Sequence, residues 1–250
     1  MTLDVPSWAA AVATELPYPL VFATVSGAHL YGFASVDSDL DLRAAHVLPA
    51  AEVLGLRTGP ETVQHGGFRD GVELDVVSHD LRKFAKLLAS PNGYVLEQLL
   101  SPLVVVTSPL HDALRALAPG LISRGHAHHY LGFGAGQQGL FERTGELKPA
   151  LYALRVLLTG AHLMRTGELE TDLNVLGARL PYVPDLIAAK RQAEHGPLPA
   201  AASADLERDI PRLRAELEAA RDASPLPESA PPEAVSGLHD LVVRARLATV

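Results

Sequence analysis

The chain has 250 residues, a formal net charge of -8, 48% hydrophobic residues and 20% charged residues, which is the composition of a globular protein with a sizeable core. It contains no cysteine, so disulfides, thiolate zinc sites and a catalytic thiol are excluded. The acidic balance argues against a broad basic surface that binds nucleic acid nonspecifically, although it is compatible with a local cationic pocket.

The sequence gives no indication of export or membrane insertion. Residues 1–8 lack a basic region followed by a long apolar run, so no signal peptide is expected. No uninterrupted apolar stretch reaches the roughly 18–20 residues that a membrane span needs. We therefore expect a cytoplasmic protein with no membrane partner.

The first 110 residues alternate between predicted strands and helices. β-Branched and aromatic residues predict strands, and apolar residues at helical spacing predict helices. The predicted strands are 18–25, 39–48, 61–65, 72–77 and 103–107. The predicted helices are 5–16, 29–34, 79–89 and 94–100. Ser78 is the predicted cap of the third of these helices, and the glycines at 66, 67 and 71 predict a hairpin with a longer loop.

Strands become hard to find from residue 109 onward. Helical spacing predicts helices at 109–118, 126–143, 149–165, 185–194, 205–222 and 233–247. The proline-rich run 224–232 predicts a semi-rigid connector. We therefore predict an α+β fold class, with a mixed sheet flanked by helices at 1–110 and a helical bundle domain at 111–222. The connector and a C-terminal helix follow at 223–250.

The stretch 25–42 combines a glycine turn with three alternating acids, Asp37, Asp39 and Asp41. If its end is an extended strand, the pleat places Asp39 and Asp41 on one face and the leucines between and after them on the other. Carboxylates that converge from one strand suit Mg²⁺, which prefers oxygen ligands. An acidic turn that is simply solvated is the alternative.

Two other acidic motifs fit the same residues less well. The run from Asp37 begins like a calcium loop, but Leu42 stands where the loop needs glycine and Leu48 where it needs glutamate, so a calcium loop is excluded. An aspartyl-phosphate nucleophile belongs at the end of a buried apolar strand. The residues at 34–38 form a polar turn instead, which argues against that chemistry.

The spacing of the glycine and the acids resembles a known signature. Gly27-Ala28 is followed by ten residues and then by Asp39-Leu-Asp41-Leu42, which resembles the DNA polymerase β-like nucleotidyltransferase superfamily. The runs 27–32 and 38–43, with the later segments 80–84 and 92–102, resemble one branch of it. This branch is the predicted nucleotidyltransferases associated with bacterial RNA-repair operons, the RNA ligase-associated or YcgL-type family. The resemblance covers roughly residues 20–165.

This resemblance implies a polymerase β-like fold and a metal-dependent nucleotidyltransferase. Such an enzyme moves a nucleoside monophosphate from an NTP to a hydroxyl acceptor and releases pyrophosphate. The resemblance implies that Asp39, Asp41 and Asp75 are catalytic and hold two Mg²⁺ ions, with Mn²⁺ as an alternative. Glu73, one pleat away from Asp75, is the alternative third acid, and a solvent-facing hairpin surface is the structural alternative for both.

The candidate nucleotide-binding residues are Ser26, Gly27, Ala28, His29, Lys148, Tyr152 and Arg155, and the resemblance favours this role for the last three. A structural role is the alternative for His29, and a solvated basic face is the alternative for the last three. Backbone amides of the glycine turn would hold phosphate oxygens, and the last three residues share one side of a predicted helix. Ala28 departs from the usual serine and removes a hydroxyl, for which Ser26 is a candidate substitute. Weaker nucleotide binding, altered nucleotide choice and loss of activity all remain open.

The acceptor is less well specified than the NTP. The resemblance implies an RNA end, while a protein acceptor or a catalytically idle nucleotide- or RNA-binding module are the alternatives. The sequence specifies neither the base nor the oligomeric state. The cluster His126, His128 and His129 lacks a further ligand at zinc spacing, so a helix lining the active cleft or a surface helix explains it better than a metal site.

Overall fold

A computed structural model describes residues 5–192, residue 198 and residues 202–248. The described residues form a five-stranded sheet with the order β3-β4-β2-β1-β5. The strands are β1 (Leu20–Val25), β2 (Leu40–His46), β3 (Thr62–Arg69), β4 (Val72–Asp80) and β5 (Val104–Val106). Strands β2 and β4 pair in parallel and the other neighbours pair antiparallel, so the sheet is mixed.

Helices account for most of the remaining described chain. They are α1 (Ala9–Thr14), α2 (Gly27–Leu30), α3 (Ala51–Leu54), α4 (Leu81–Ala89), α5 (Gly93–Leu100), α6 (Pro109–Leu121), α7 (His126–Thr144), α8 (Leu147–Thr166), α9 (Leu173–Leu176), α10 (Val183–Gln192), α11 (Ser203–Asp222) and α12 (Pro232–Leu247). The predicted fold class, a mixed sheet flanked by helices with a helical C-terminal region, is confirmed. Residues 193 and 194 of the predicted helix 185–194 lie outside the described residues.

The hairpin of β3 and β4 turns later than the sequence predicted. The expected loop began at Gly66, but Gly66 and Gly67 lie inside β3, where they pair with Asp75 and Leu74. The turn is made by Asp70 and Gly71, which have φ angles of 51° and 81°. Two consecutive positive φ angles are typical of the tight turns that join antiparallel strands, and Asp and Gly tolerate them.

The chain forms two compact units, and neither is continuous in sequence. The first contains residues 1–27, 39–121 and 230–250, and the second contains residues 28–38 and 122–229. Helices α6 and α12 therefore belong to the unit that contains the sheet. The short segment between the glycine turn and the acids belongs to the unit that contains α7, α8 and α11.

The core of the first unit explains why β2 and β4 lie where they do. Leu40 and Leu42 of β2 and Leu74 and Val76 of β4 are buried in one cluster with residues of α1. Because side chains alternate along a strand, the residues between them, including Asp41 and Asp75, point to the opposite face of the sheet.

The second unit is built around α8, which is buried along most of its length. Helices α7, α10 and α11 contact it. Gly160 allows a close approach, because a Cβ atom there would lie 2.8 Å from Cβ of Tyr130 and 2.9 Å from a methyl of Leu217. No helix in the described part of the chain is long and apolar enough to cross a membrane.

Asp80 joins three parts of the first unit. Its carboxylate accepts hydrogen bonds from the backbone amides of Arg82, at the start of α4, and Leu48, at 3.0 and 3.2 Å. It also forms an ion pair with Arg246 of α12. The predicted cap, Ser78, is wrong, because its hydroxyl lies within β4 and contacts Nδ1 of His46 at 2.8 Å. A carboxylate adjoining the first turn is the better acceptor for its amides.

We predict that Arg246→Ala lowers the free energy of unfolding by about 3 kcal/mol. The Asp80 side chain is only 1% exposed, so the substitution leaves a buried carboxylate without its cation. The matched control is Arg244→Ala, because Arg244 is exposed on the same helix. Urea unfolding of both variants measures the difference, and equal stabilities would contradict a structural role for the Arg246–Asp80 pair.

Candidate active site

Arg43 connects the two acids that face each other across β2 and β4. The parallel register pairs Asp41 with Asp75. Arg43 follows two residues later on β2 and therefore lies on the same face. Its Nη2 atom donates to Oδ1 of Asp41 at 2.5 Å and to Oδ2 of Asp75 at 2.8 Å. Two of the three predicted catalytic carboxylates thus converge on one guanidinium nitrogen.

The remaining donors of Arg43 are also engaged. Its Nε donates to the hydroxyl of Tyr94 at 2.9 Å. Its Nη1 donates to the backbone carbonyls of Leu42 at 3.1 Å and Asp75 at 2.8 Å. These five contacts match the five N–H donors of a guanidinium. The side chain is only 11% exposed, so its position is fixed by its partners rather than by solvent.

The charge of Arg43 is secure in this environment. Burial alone lowers its pKa, but the hydroxyl of Tyr94 and the carboxylates of Asp41 and Asp75 outweigh that effect, and the net pKa is raised above its ordinary value. The guanidinium therefore stays protonated at every pH at which the protein is folded. It acts as a permanent counterion for the two acids.

Gly27 packs directly against Asp41. A Cβ atom at position 27 would lie 2.0 Å from Oδ2 of Asp41, and the φ angle of the glycine is +65°. The amide of Ser26 donates to the backbone carbonyl of Asp41 at 2.9 Å. The hydroxyl of Ser26 is buried and has no hydrogen-bond partner among the described residues. Gly27 and Asp41 are thus neighbours in space.

Asp39 is the third predicted catalytic acid. It precedes β2 and is half-buried. Among the described residues, no group of three His, Asp or Glu side chains is arranged to hold a metal ion together. Asp39 is therefore not brought into such a set with Asp41 and Asp75, and its role stays a prediction.

Asp41 and Asp75 nevertheless have the donor chemistry that a divalent cation requires. Their oxygens converge on a single cationic atom, Nη2 of Arg43. Mg²⁺ is usually bound by one or two carboxylates together with substrate phosphates, so two acids on neighbouring strands suffice for one ion. Glu73, the alternative third acid, is exposed near the start of β4.

The other predicted nucleotide-binding residues lie in the second unit. Ala28 is buried and His29 is half-buried. The guanidinium of Arg155 lies 3.7 Å from the centroid of the Tyr31 ring, which is a cation–π geometry, and the residue is 2% exposed. Tyr152 packs edge-on against the same Tyr31 ring. These two side chains of α8 therefore contact the segment 28–38 of their own unit. Lys148, four residues before Tyr152, is half-buried.

The histidine cluster is spread over different environments. His126 is buried, and its Nδ1 lies 3.2 Å from the backbone carbonyl of Ser123. Burial lowers the pKa of His126, which favours the neutral ring. His128 is exposed, and His129 is half-buried and contacts the ring of Tyr130 edge-on. No metal-holding group of three acids or histidines occurs in the described ranges, the cluster included.

Arg43 and Tyr94 are the two site residues that the sequence interpretation missed. The alternation that placed Asp39 and Asp41 on one face also places Arg43 on that face. That signal was present in the sequence. Tyr94 carried no local signal, because its contact with Arg43 depends on where α5 lies relative to β2.

Comparison with known proteins identifies the family. A model of the RNA repair pathway DNA polymerase beta family matches residues 7–244. The chain belongs to this family. The predicted resemblance to RNA-repair-associated polymerase β-like nucleotidyltransferases is therefore confirmed. By family, the chain is a polymerase β-like nucleotidyltransferase of a group linked to RNA repair.

A curated relative and a solved structure are also similar to this member of the RNA repair pathway DNA polymerase beta family. The relative is the uncharacterized protein MJ0002 of Methanocaldococcus jannaschii, which is 30% identical over 173 residues, or 67% of this chain and 70% of the relative. The structure is a nucleotidyltransferase-like protein from Exiguobacterium sibiricum, with 12% identity and a TM-score of 0.34. That match covers 86% of this chain and 72% of the other.

We predict that Gly27→Ala destabilises the protein by about 1–3 kcal/mol, since it combines a left-handed backbone with a clash against Asp41. Gly67→Ala is the control, because a Cβ atom there meets nothing within 4 Å. Urea unfolding of the two variants measures the difference. Equal effects of the two substitutions would show that the contact between Gly27 and Asp41 does not constrain the site.

Proposed function

We propose that this protein transfers a nucleoside monophosphate from an NTP to a hydroxyl on an RNA end. The observation that carries the proposal is the in-register pair of Asp41 and Asp75, whose carboxylates converge on one cationic atom beside a glycine turn. Family membership supports nucleotidyl transfer, and the link of the family to RNA repair supports an RNA acceptor.

Asp41 and Asp75 are the proposed ligands of Mg²⁺, with Mn²⁺ as an alternative ion. Asp39, which precedes β2, is the proposed further ligand and would complete a site for two ions. Bound Mg²⁺ would neutralise charge on the triphosphate and lower the pKa of the acceptor hydroxyl. The aspartates supply the oxygens that fix such ions next to the reacting phosphate.

The glycine turn is the proposed binding place for the triphosphate. Gly27 has no side chain, so its backbone packs directly against the Asp41 carboxylate. The backbone amides of this turn are the proposed donors to the phosphate oxygens. Ser26 contributes a buried hydroxyl without a partner among the described residues, which is the proposed substitute for the hydroxyl that Ala28 lacks. Loss of this hydroxyl in Ser26→Ala should therefore weaken NTP binding.

The proposed reaction is an in-line displacement. The acceptor oxygen forms a bond to the α-phosphorus while the bond from that phosphorus to the bridging oxygen of the β-phosphate breaks. Pyrophosphate leaves with the bonding electron pair, and the proton of the acceptor hydroxyl passes to solvent. The chain contributes orientation and charge, which are the main requirements of phosphoryl and nucleotidyl transfer.

The proposal predicts that the protein labels RNA when it is incubated with Mg²⁺ and α-³²P-labelled NTPs. Asp41→Asn and Asp75→Asn should each lower the rate of labelling by roughly 10²-fold or more, because each removes a charge aimed at the reacting phosphate. Asp70→Asn is the matched control, since Asp70 is exposed at the hairpin turn and Asn tolerates its positive φ angle.

Parallel reactions with RNA, with protein and with neither identify the acceptor in the same assay. Label on RNA that is lost in Asp41→Asn but kept in Asp70→Asn supports the proposal. Label on protein would show that the acceptor is a protein and not RNA, while the proposed nucleotidyl transfer would still hold. Nucleotide binding without label in any reaction would overturn the enzymatic function and favour a nucleotide- or RNA-binding module.

A further inference from the structure

We propose that Arg43 controls divalent-ion binding, because its guanidinium holds the cation position between Asp41 and Asp75 until an ion displaces it. This inference rests on the proposed function, since it assumes that these two acids are ion ligands. Arg43 is then a positioning residue: it keeps both acids in register when no ion is bound, and it sets the ion concentration at which the site fills.

The geometry leaves little room for an ion and the guanidinium together. Oδ1 of Asp41 contacts Nη2 of Arg43 at 2.5 Å. Oδ2 of Asp41 lies against Gly27. An ion at bonding distance from Asp41 on the side of Asp75 would therefore stand where the guanidinium nitrogen now lies. An ion would reach the site from the side of Asp75, because 51% of the Asp75 side chain is exposed, compared with 17% for Asp41.

The charges favour replacement of the guanidinium by a divalent ion over simultaneous binding of both. Arg43 supplies one positive charge to two carboxylates, whereas a divalent ion balances both. A second cation beside the guanidinium would be repelled in a partly buried site, where screening is weak. An ion that enters must therefore overcome the contacts that Arg43 makes with the acids.

Tyr94 determines how strongly Arg43 competes. Its hydroxyl accepts from Nε at 2.9 Å, and the carbonyls of Leu42 and Asp75 accept from Nη1. None of these three bonds involves a carboxylate. They hold the guanidinium in place independently of the charges on the acids, so loss of one of them weakens the competitor and leaves both ligands intact.

The test is direct titration of Mn²⁺ into the full chain, with free Mn²⁺ measured by electron paramagnetic resonance and without nucleotide or acceptor. Arg43→Gln should bind Mn²⁺ about tenfold more tightly than the unaltered protein, because the entering ion no longer has to overcome the attraction between the guanidinium and the two acids. Tyr94→Phe should show a smaller tightening in the same direction. Asp41→Asn should abolish the site, and Asp70→Asn should bind like the unaltered protein.

Tyr94→Phe keeps the test decisive if Arg43→Gln fails to fold, which circular dichroism of each variant reveals. Unchanged or weaker Mn²⁺ binding by the folded variants would overturn the proposal for Arg43. If the unaltered protein still bound Mn²⁺ through Asp41 in that case, the proposed function would survive. If no variant bound Mn²⁺, the proposal for Arg43 would fall, and RNA labelling would remain the separate test of the proposed function.

Discussion

The arrangement of the site depends on one buried guanidinium. Arg43 joins β2, β4 and α5, because its partners Asp41, Asp75 and Tyr94 come from those three elements. A charged group that leaves water must be paired, so each element is held to the position at which its partner reaches the guanidinium. A shift of one residue between β2 and β4 would turn Asp75 to the apolar face and break the pairing.

The same register accounts for the spacing of the motif. Strands β1 and β2 are antiparallel, with Val25 opposite Leu42, so the chain beyond β1 runs past Asp41. The Ser26 amide contacts the Asp41 carbonyl there, and Gly27 contacts its carboxylate. The residues between the glycine and the acids must return the chain to the start of β2. They do so as the segment 28–38, which belongs to the second compact unit.

The features predicted correctly are those that depend on residues close together in the sequence. The strands β1, β2 and β4, the helices α4 to α8 and the alternation of leucine with aspartate follow from side-chain periodicity. The hairpin turn and the cap of α4 were misplaced, because several glycines and polar residues compete for each role and packing selects among them. The alternation along β2 placed Arg43 on the face of the acids, but its contact with Asp75 depends on strand pairing between residues more than thirty positions apart.

A buried ion pair is a weak source of stability, because desolvation of the charges offsets much of their attraction. The cluster around Arg43 is therefore better explained by what it specifies than by what it adds to stability. Without a cation, Asp41 and Asp75 would repel each other across a gap that the parallel register fixes. An internal guanidinium removes that repulsion and keeps the acids aligned. On our proposal, the arrangement that preserves the geometry of the site in the absence of an ion is also the arrangement that an entering ion would have to displace.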